Sequence, residues 1–137
     1  MSYMLDTNMC AFITQRNESV LAAVRNHRQD GLFISAITLS ELEHGVRNSQ
    51  YVDRNRIALN NILVLFTVLP YGSQAAVEYG SIRADLQKRG CLIGNMDMLI
   101  AAHAKSAKLT LVTNNTREFQ RVPGLAIEDW KAPRPGL

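Results

Sequence analysis

Residues 3–8 read YMLDTN: three apolar residues, an acid, then two small polar residues. A short buried strand over Tyr3–Leu5 that delivers Asp6 to the start of a helix accounts for this order. In layered α/β folds, ligands gather outside the carboxyl ends of the strands. The residue after each strand is therefore the one whose chemistry counts. Asp6 fits two roles there: a helix cap, worth ~1 kcal/mol, or a carboxylate held out for a reaction.

The same logic extends along the chain. Short apolar runs predict strands at Leu32–Ser35, Leu65–Leu69 and Leu109–Val112, with a small edge strand at Ala126–Glu128. Helices are predicted over about 7–15, 18–28, 36–48, 53–64, 73–89 and 97–107 from apolar spacings of three and four, such as Leu39, Leu42 and Val46. Pro70 and Gly72 end the third strand, and Gly90 closes the helix before it. Strands alternating with helices indicate an α/β fold with a short, mainly parallel central sheet. One domain is expected over residues 1–131, with 132–137 as a flexible carboxyl-terminal tail.

Composition narrows the class. A 47% hydrophobic share supports a real core, and no apolar stretch approaches the ~20 residues of a membrane span. Cys10 and Cys91 form neither a disulfide framework nor a zinc motif, so the expected setting is reducing and cytoplasmic. The formal charge of +3 is compatible with a polyanionic partner but does not single one out. There is no glycine-rich phosphate loop, no finger pattern and no aromatic stacking platform.

Three acids stand near strand–helix junctions. Asp6 follows the first strand, Glu41 lies in the helix after the second, and Asp97 opens the alanine-rich helix before the last clear strand. Taken singly, Asp6 and Asp97 read equally well as helix caps, and Glu41 as a partly exposed surface residue. If the three junctions share one sheet edge, the carboxylates converge and raise one another's pKa unless a cation sits among them. Oxygen ligands suit Mg²⁺ or Mn²⁺, and the lack of spaced Cys or His argues against zinc. A cation so held supports phosphodiester hydrolysis. Arg83, Lys88, Arg89 and Arg117 are candidate phosphate contacts, with a solvated face as the ordinary alternative.

Four stretches carry a resemblance: MLDTN (4–8), ITLSELEHG (37–45), IGNMDMLIAAHA (93–104) and LVTNNTREF (111–119). In this order and spacing they resemble the motifs of PIN-domain ribonucleases, and the chain is similar to the VapC toxins of bacterial type II toxin–antitoxin modules. The resemblance implies a three-layer α/β/α fold with Asp6, Glu41 and Asp97 as the catalytic, metal-holding acids. Asn8, Thr113 and Asn114 take supporting places. The family often has a fourth acid where this chain has Asn115, which supplies no charge for a second metal. The implied activity is Mg²⁺-dependent cleavage of structured RNA, most often tRNA, inhibiting translation. The implied partners are a VapB-like antitoxin, a second copy of the toxin and larger assemblies of the two, with operator DNA bound only through the antitoxin and no membrane. Two rivals stay open on the residues alone: a flap-type or PIN-like nuclease acting on DNA or other RNA, and a non-enzymatic α/β interaction protein.

Overall fold

The central strand comes first in the chain. β1 (Tyr3–Leu5) is buried at all three residues and pairs in parallel with both β2 (Leu32–Ser35) and β4 (Thr110–Val112). β3 (Thr67–Leu69) adds to the outer side of β2, and β5 (Ile127–Glu128) to the outer side of β4. The computed structural model, which describes residues 1–131, thus holds one five-stranded parallel sheet of order β3-β2-β1-β4-β5. The tail expected at 132–137 lies outside the described residues.

Between β1 and β2 run α1 (Thr7–Thr14) and α2 (Glu18–Asn26). α3 (Ala36–Arg47) and α4 (Val52–Leu63) join β2 to β3, and α5 (Ser73–Lys88) and α6 (Asn95–Ser106) join β3 to β4. A four-residue helix, α7 (Thr116–Phe119), separates β4 from β5. Parallel neighbours require such crossovers, and the helices they contain cover both faces of the sheet.

Strand alternation divides the core in two. Tyr3, Leu5, Ile34 and Val112 pack with Met9, Cys10 and Ile13 of α1, Val20 and Val24 of α2, and Ile62 of α4. Met4 and Leu111 face the other way, onto Ile82 and Leu86 of α5, a run of α6 residues from Met98 to Ala104, and Phe119 of α7. Alanines 101, 102 and 104 let α6 approach the sheet closely, and all three are fully buried. The arrangement is the expected three-layer α/β/α sandwich. Among the described residues, no helix is long and apolar enough to cross a membrane.

Several predicted boundaries move. The stretch 18–28 stops as an α-helix at Asn26, and Arg28–Asp30 forms a separate tight turn capped by Gly31 at φ 89°. The third strand loses Leu65 and Phe66, whose amides bond back to Ile62 and Leu63 at the end of α4. α6 begins two residues earlier than expected, with Gly94 at its cap position. Asp97 is therefore the third residue inside the helix, and its reading as a cap is excluded by the geometry.

One buried polar contact ties the two helical layers to the sheet. The His103 ring of α6 donates to the Pro70 carbonyl, and its Nδ1 lies 2.7 Å from the Ser35 hydroxyl. Nδ1 then accepts from Ser35, whose oxygen in turn accepts the Ile37 amide at 3.0 Å. Burial lowers the His103 pKa, favouring the neutral ring. The folded state thus binds this proton less readily than the unfolded state, so stability falls as the pH drops through the ordinary histidine range near about 6.5. Urea midpoints measured between neutral and mildly acidic pH should fall more steeply in the wild-type chain than in H103Q, where that linkage is removed.

Candidate active site

Asp6 stands at the carboxyl end of β1, beside β4. The chain moves outward from β1 through β2 to β3, then returns to the opposite flank of β1 with β4. The gap between the ends of β1 and β4 is the topological switch point where α/β sheets place ligands. The Asp6 amide bonds to the Val112 carbonyl at 3.1 Å, so strand pairing continues into the site and fixes its backbone.

Asp6 is both cap and cleft residue. Its Oδ1 accepts the Met9 amide at 2.9 Å, capping α1. The Thr113 hydroxyl, just past β4, donates to the same carboxylate. Thr113 also accepts the Asn115 amide at 2.9 Å, so one hydroxyl joins the cap of α1 to the loop after β4. Burial raises the Asp6 pKa more than these hydrogen bonds lower it, and the charges of Glu41 and Asp129 push in the same direction. Only 3% of Asp6 is exposed.

Asp97 reaches the same place from α6. Burial, then the charges of Asp6, Glu118 and Glu41, raise its pKa to about 6. Gly94, one turn earlier, leaves it room: a Cβ at residue 94 would lie 3.3 Å from Asp97 Oδ2. Glu41, on α3, is half-buried and accepts a hydrogen bond from Thr7 Oγ1 at 2.5 Å. The three acids named from sequence therefore meet electrostatically at one site. Among the described residues, no three or more Asp, Glu, His or Cys side chains are placed together so as to hold a metal ion by themselves.

Asn115 does not stand alone where the family often has an acid. Its Nδ2 donates to Glu118 Oε2 at 3.0 Å, and Glu118 is the carboxylate whose charge bears on Asp97. A fourth acid is thus supplied one helical turn later, from α7, and oriented by the asparagine. Asn115 and Glu118 have the spacing of a helix cap and its third residue, the one signal in the sequence that could have singled out Glu118. Thr7, Gly94 and Asp129 were also missed. Asp129 accepts a 2.9 Å hydrogen bond from Asn114 Nδ2.

The remaining candidates lie farther from the acids or on their rim. Asn8 is exposed and lines, with Thr7, Glu41, Leu42 and Leu59, a groove of about 360 Å³ between α1, α3 and α4. Arg83 donates to the Tyr79 hydroxyl at 2.9 Å, and that hydroxyl donates to Asn95 at the start of α6. Arg83 is thus linked to the segment that carries Asp97. Arg89 is occupied by Asp85 at 2.6 Å and by the Arg121 carbonyl at 2.7 Å. Lys88 and Arg117 are exposed.

Oxygen donors of this kind, repelling one another in a half-buried cleft, fit a hard divalent cation. Mg²⁺ keeps several waters and takes only one or two carboxylates directly, so it does not need a closed cage. Without metal, the Asp97 charge is a burden: its raised pKa means that ionising it costs more in the folded state than in the unfolded chain. D97N should therefore raise the metal-free melting temperature by a few degrees, the response to about 1 kcal/mol in a domain of this size. G94A should leave that temperature nearly unchanged while displacing the Asp97 carboxylate by a few tenths of an ångström, which calorimetry and a crystal structure of the variant would show.

Known proteins share this fold. The PIN domain family model matches residues 3–125. The chain is 42% identical over 130 residues to the tRNA(fMet)-specific endonuclease VapC of Shigella flexneri, covering 95% of this chain and 98% of that protein. It is 40% identical to ribonuclease VapC2 of Haemophilus influenzae, with the same coverage. Its fold superposes on VapBC2 from Rickettsia felis, solved with a promoter DNA fragment, at a TM-score of 0.92 and 36% identity, covering 95% of this chain and 99% of that one. DNA-bound VapBC from Salmonella typhimurium gives a TM-score of 0.90 at 40% identity, covering 95% and 98%. The chain belongs to the PIN-domain family and, within it, to the VapC ribonucleases.

Proposed function

We propose that this chain is a Mg²⁺-dependent endoribonuclease toxin that cuts structured RNA, tRNA in the first instance, and is neutralised by a VapB-like antitoxin. The observation that carries this reading is the convergence of negative charge at the switch point between β1 and β4, where Glu41 bears on Asp6, and Asp6, Glu118 and Glu41 bear on Asp97. The RNA target follows the names of the Shigella and Salmonella relatives, both described as tRNA(fMet)-specific endonucleases. The antitoxin follows the VapBC complexes that share the fold.

Asp6 and Asp97 would hold the cation, with Glu41 and Glu118 holding waters or completing its charge balance. Mn²⁺ suits the same oxygens. When bound, the cation supplies positive charge for the phosphoryl oxygens and makes a water acidic enough to attack. The chain's own work is positioning. Thr7 fixes Glu41, Asn115 fixes Glu118, and Thr113 with the Met9 amide fixes Asp6. Arg83 and Arg117 are the phosphate contacts this reading retains, and Arg89 would first have to leave Asp85. Among the described residues no histidine pair stands with the acids to act on the RNA 2′-hydroxyl, so hydrolysis should leave a 5′-phosphate and a 3′-hydroxyl.

The groove beside Glu41 is flanked by Leu42, Val46, Leu59 and Ile62 and fits an apolar segment of an antitoxin. A second copy of the toxin and operator DNA, reached through the antitoxin, complete the proposed assembly. A reducing cytoplasm is the setting in which such a module acts.

Incubating the purified chain with initiator tRNA, other tRNAs and single-stranded DNA, with Mg²⁺ or with a chelator, tests the reading. Cleavage of tRNA only with Mg²⁺, ending in 5′-phosphate, is expected. D6N, which keeps a capping side chain, should lower the rate at least about a hundredfold while the fold persists. A D6N chain cutting at the wild-type rate would overturn the acid assignment. Cleavage confined to DNA would favour the flap-type reading. Because Asp97 takes up a proton near pH 6, the rate at limiting Mg²⁺ should fall as the pH drops below that value and recover with excess metal.

A further inference from the structure

Past β5 the chain continues as a short strap, residues 129–131, joined to the loop after β4 through Asp129 and Asn114. Its anchor is Trp130, only 7% exposed. The indole stacks on the His27 ring with centroids 4.8 Å apart and planes 11° from parallel, and meets Tyr3 edge-on at 5.1 Å. Its Nε1 donates to Glu128 Oε1 at 3.0 Å, and its carbonyl accepts the Ser19 hydroxyl at 2.7 Å. On the next residue, Lys131 Nζ sits 4.4 Å over the Phe12 ring.

The strap grips the loop that follows β4. The Thr113 amide donates to the Glu128 carbonyl at 2.9 Å, and Asn114 Nδ2 donates to Asp129 Oδ2 at 2.9 Å. Asp129 Oδ1 accepts the Lys131 amide at 2.9 Å, so both carboxylate oxygens are engaged and the side chain cannot swing away freely. Thr113 is the residue whose hydroxyl reaches Asp6. With one amide hydrogen spent on Asp129, Asn114 still has its carbonyl oxygen to offer an RNA hydroxyl or a water.

We propose that Asp129 is a positioning residue for the nuclease site: latched in place by Trp130, it clamps Asn114 and so holds the Thr113–Asn115 loop against Asp6. This rests on the metal-dependent nuclease reading above and adds to it a residue outside the acids that would hold metal. Asp129 itself is exposed, so its replacement removes the clamp without opening the core. Partners that orient metal-holding groups typically change metal affinity or activity by about 10–100-fold when removed.

The test compares wild type, D129A, D129N and D97N as full chains. Three quantities are read: the metal-free melting temperature, the Mg²⁺ concentration that half-saturates the metal-induced rise in that temperature, and kcat on tRNA. Trp130 is the only tryptophan, so its emission reports whether the strap stays seated. D129A should keep the wild-type emission and metal-free melting temperature, yet raise the Mg²⁺ half-saturation point or lower kcat by about tenfold or more. D129N, which retains one acceptor oxygen, should recover part of the loss. A D129A chain with wild-type half-saturation and kcat overturns the proposal, whether or not its melting temperature drops. D97N is expected to lose the metal response. If D97N and wild type titrate alike, the metal reading has failed and the clamp falls with it.

Discussion

Asp6 is a carboxylate in a place where a carboxylate is expensive. Moving such a charge out of water costs several kcal/mol even after relaxation. Hydrogen bonds to a charged group return about 1.5–3 kcal/mol each, and Asp6 has two, from the Met9 amide and the Thr113 hydroxyl. Those two fall short of the desolvation cost, and the neighbouring charges of Glu41 and Asp129 add to the deficit. The ionised site is therefore short of positive charge. β1 lies at the centre of the sheet, so its end sets Asp6 between the start of α1 and the loop after β4, which supply the two donors.

The acids arrive on separate elements, which is why the site tolerates such crowding. Asp6 ends a strand, Glu41 and Asp97 project from helices on different crossovers, and Glu118 rides a four-residue helix. Each is held by its own local partner: Met9 and Thr113, Thr7, the space at Gly94, and Asn115. Repulsion among them cannot be relaxed by moving a single loop. It is answered by a cation or, as the pH falls towards about 6, by proton uptake at Asp97.

Much of this was legible from the order of residues. An apolar triplet running into an acid marked β1 and Asp6, and the apolar run at Leu109–Val112 marked its neighbour on the other flank. What escaped was whatever lacked a period. α7 spans four residues, barely one turn, so no apolar spacing could announce it, and Glu118 was hidden with it. Thr7 and Asp129 are small or exposed polar residues whose importance lies in which partner they touch, a matter of tertiary geometry. The start of α6 is hidden in the sequence because Gly94 carries no side chain to cap with, whereas Asp97 does. Asn115 read as the loss of an acid, although its amide is what orients one.

Cys10 lies fully buried in α1, four residues beyond Asp6, and both burial and the Asp6 charge push its thiol pKa far above the ordinary range. A thiol so protected is a poor nucleophile and a poor target for peroxide or alkylating reagents. Cys91, half-buried just before α6, is the other cysteine and has no such shelter. Burial, with the negative charge of Asp6 added to it, therefore shields the Cys10 sulfur, and a thiol-directed label added to the folded protein would settle at residue 91, on the segment that leads into Asp97.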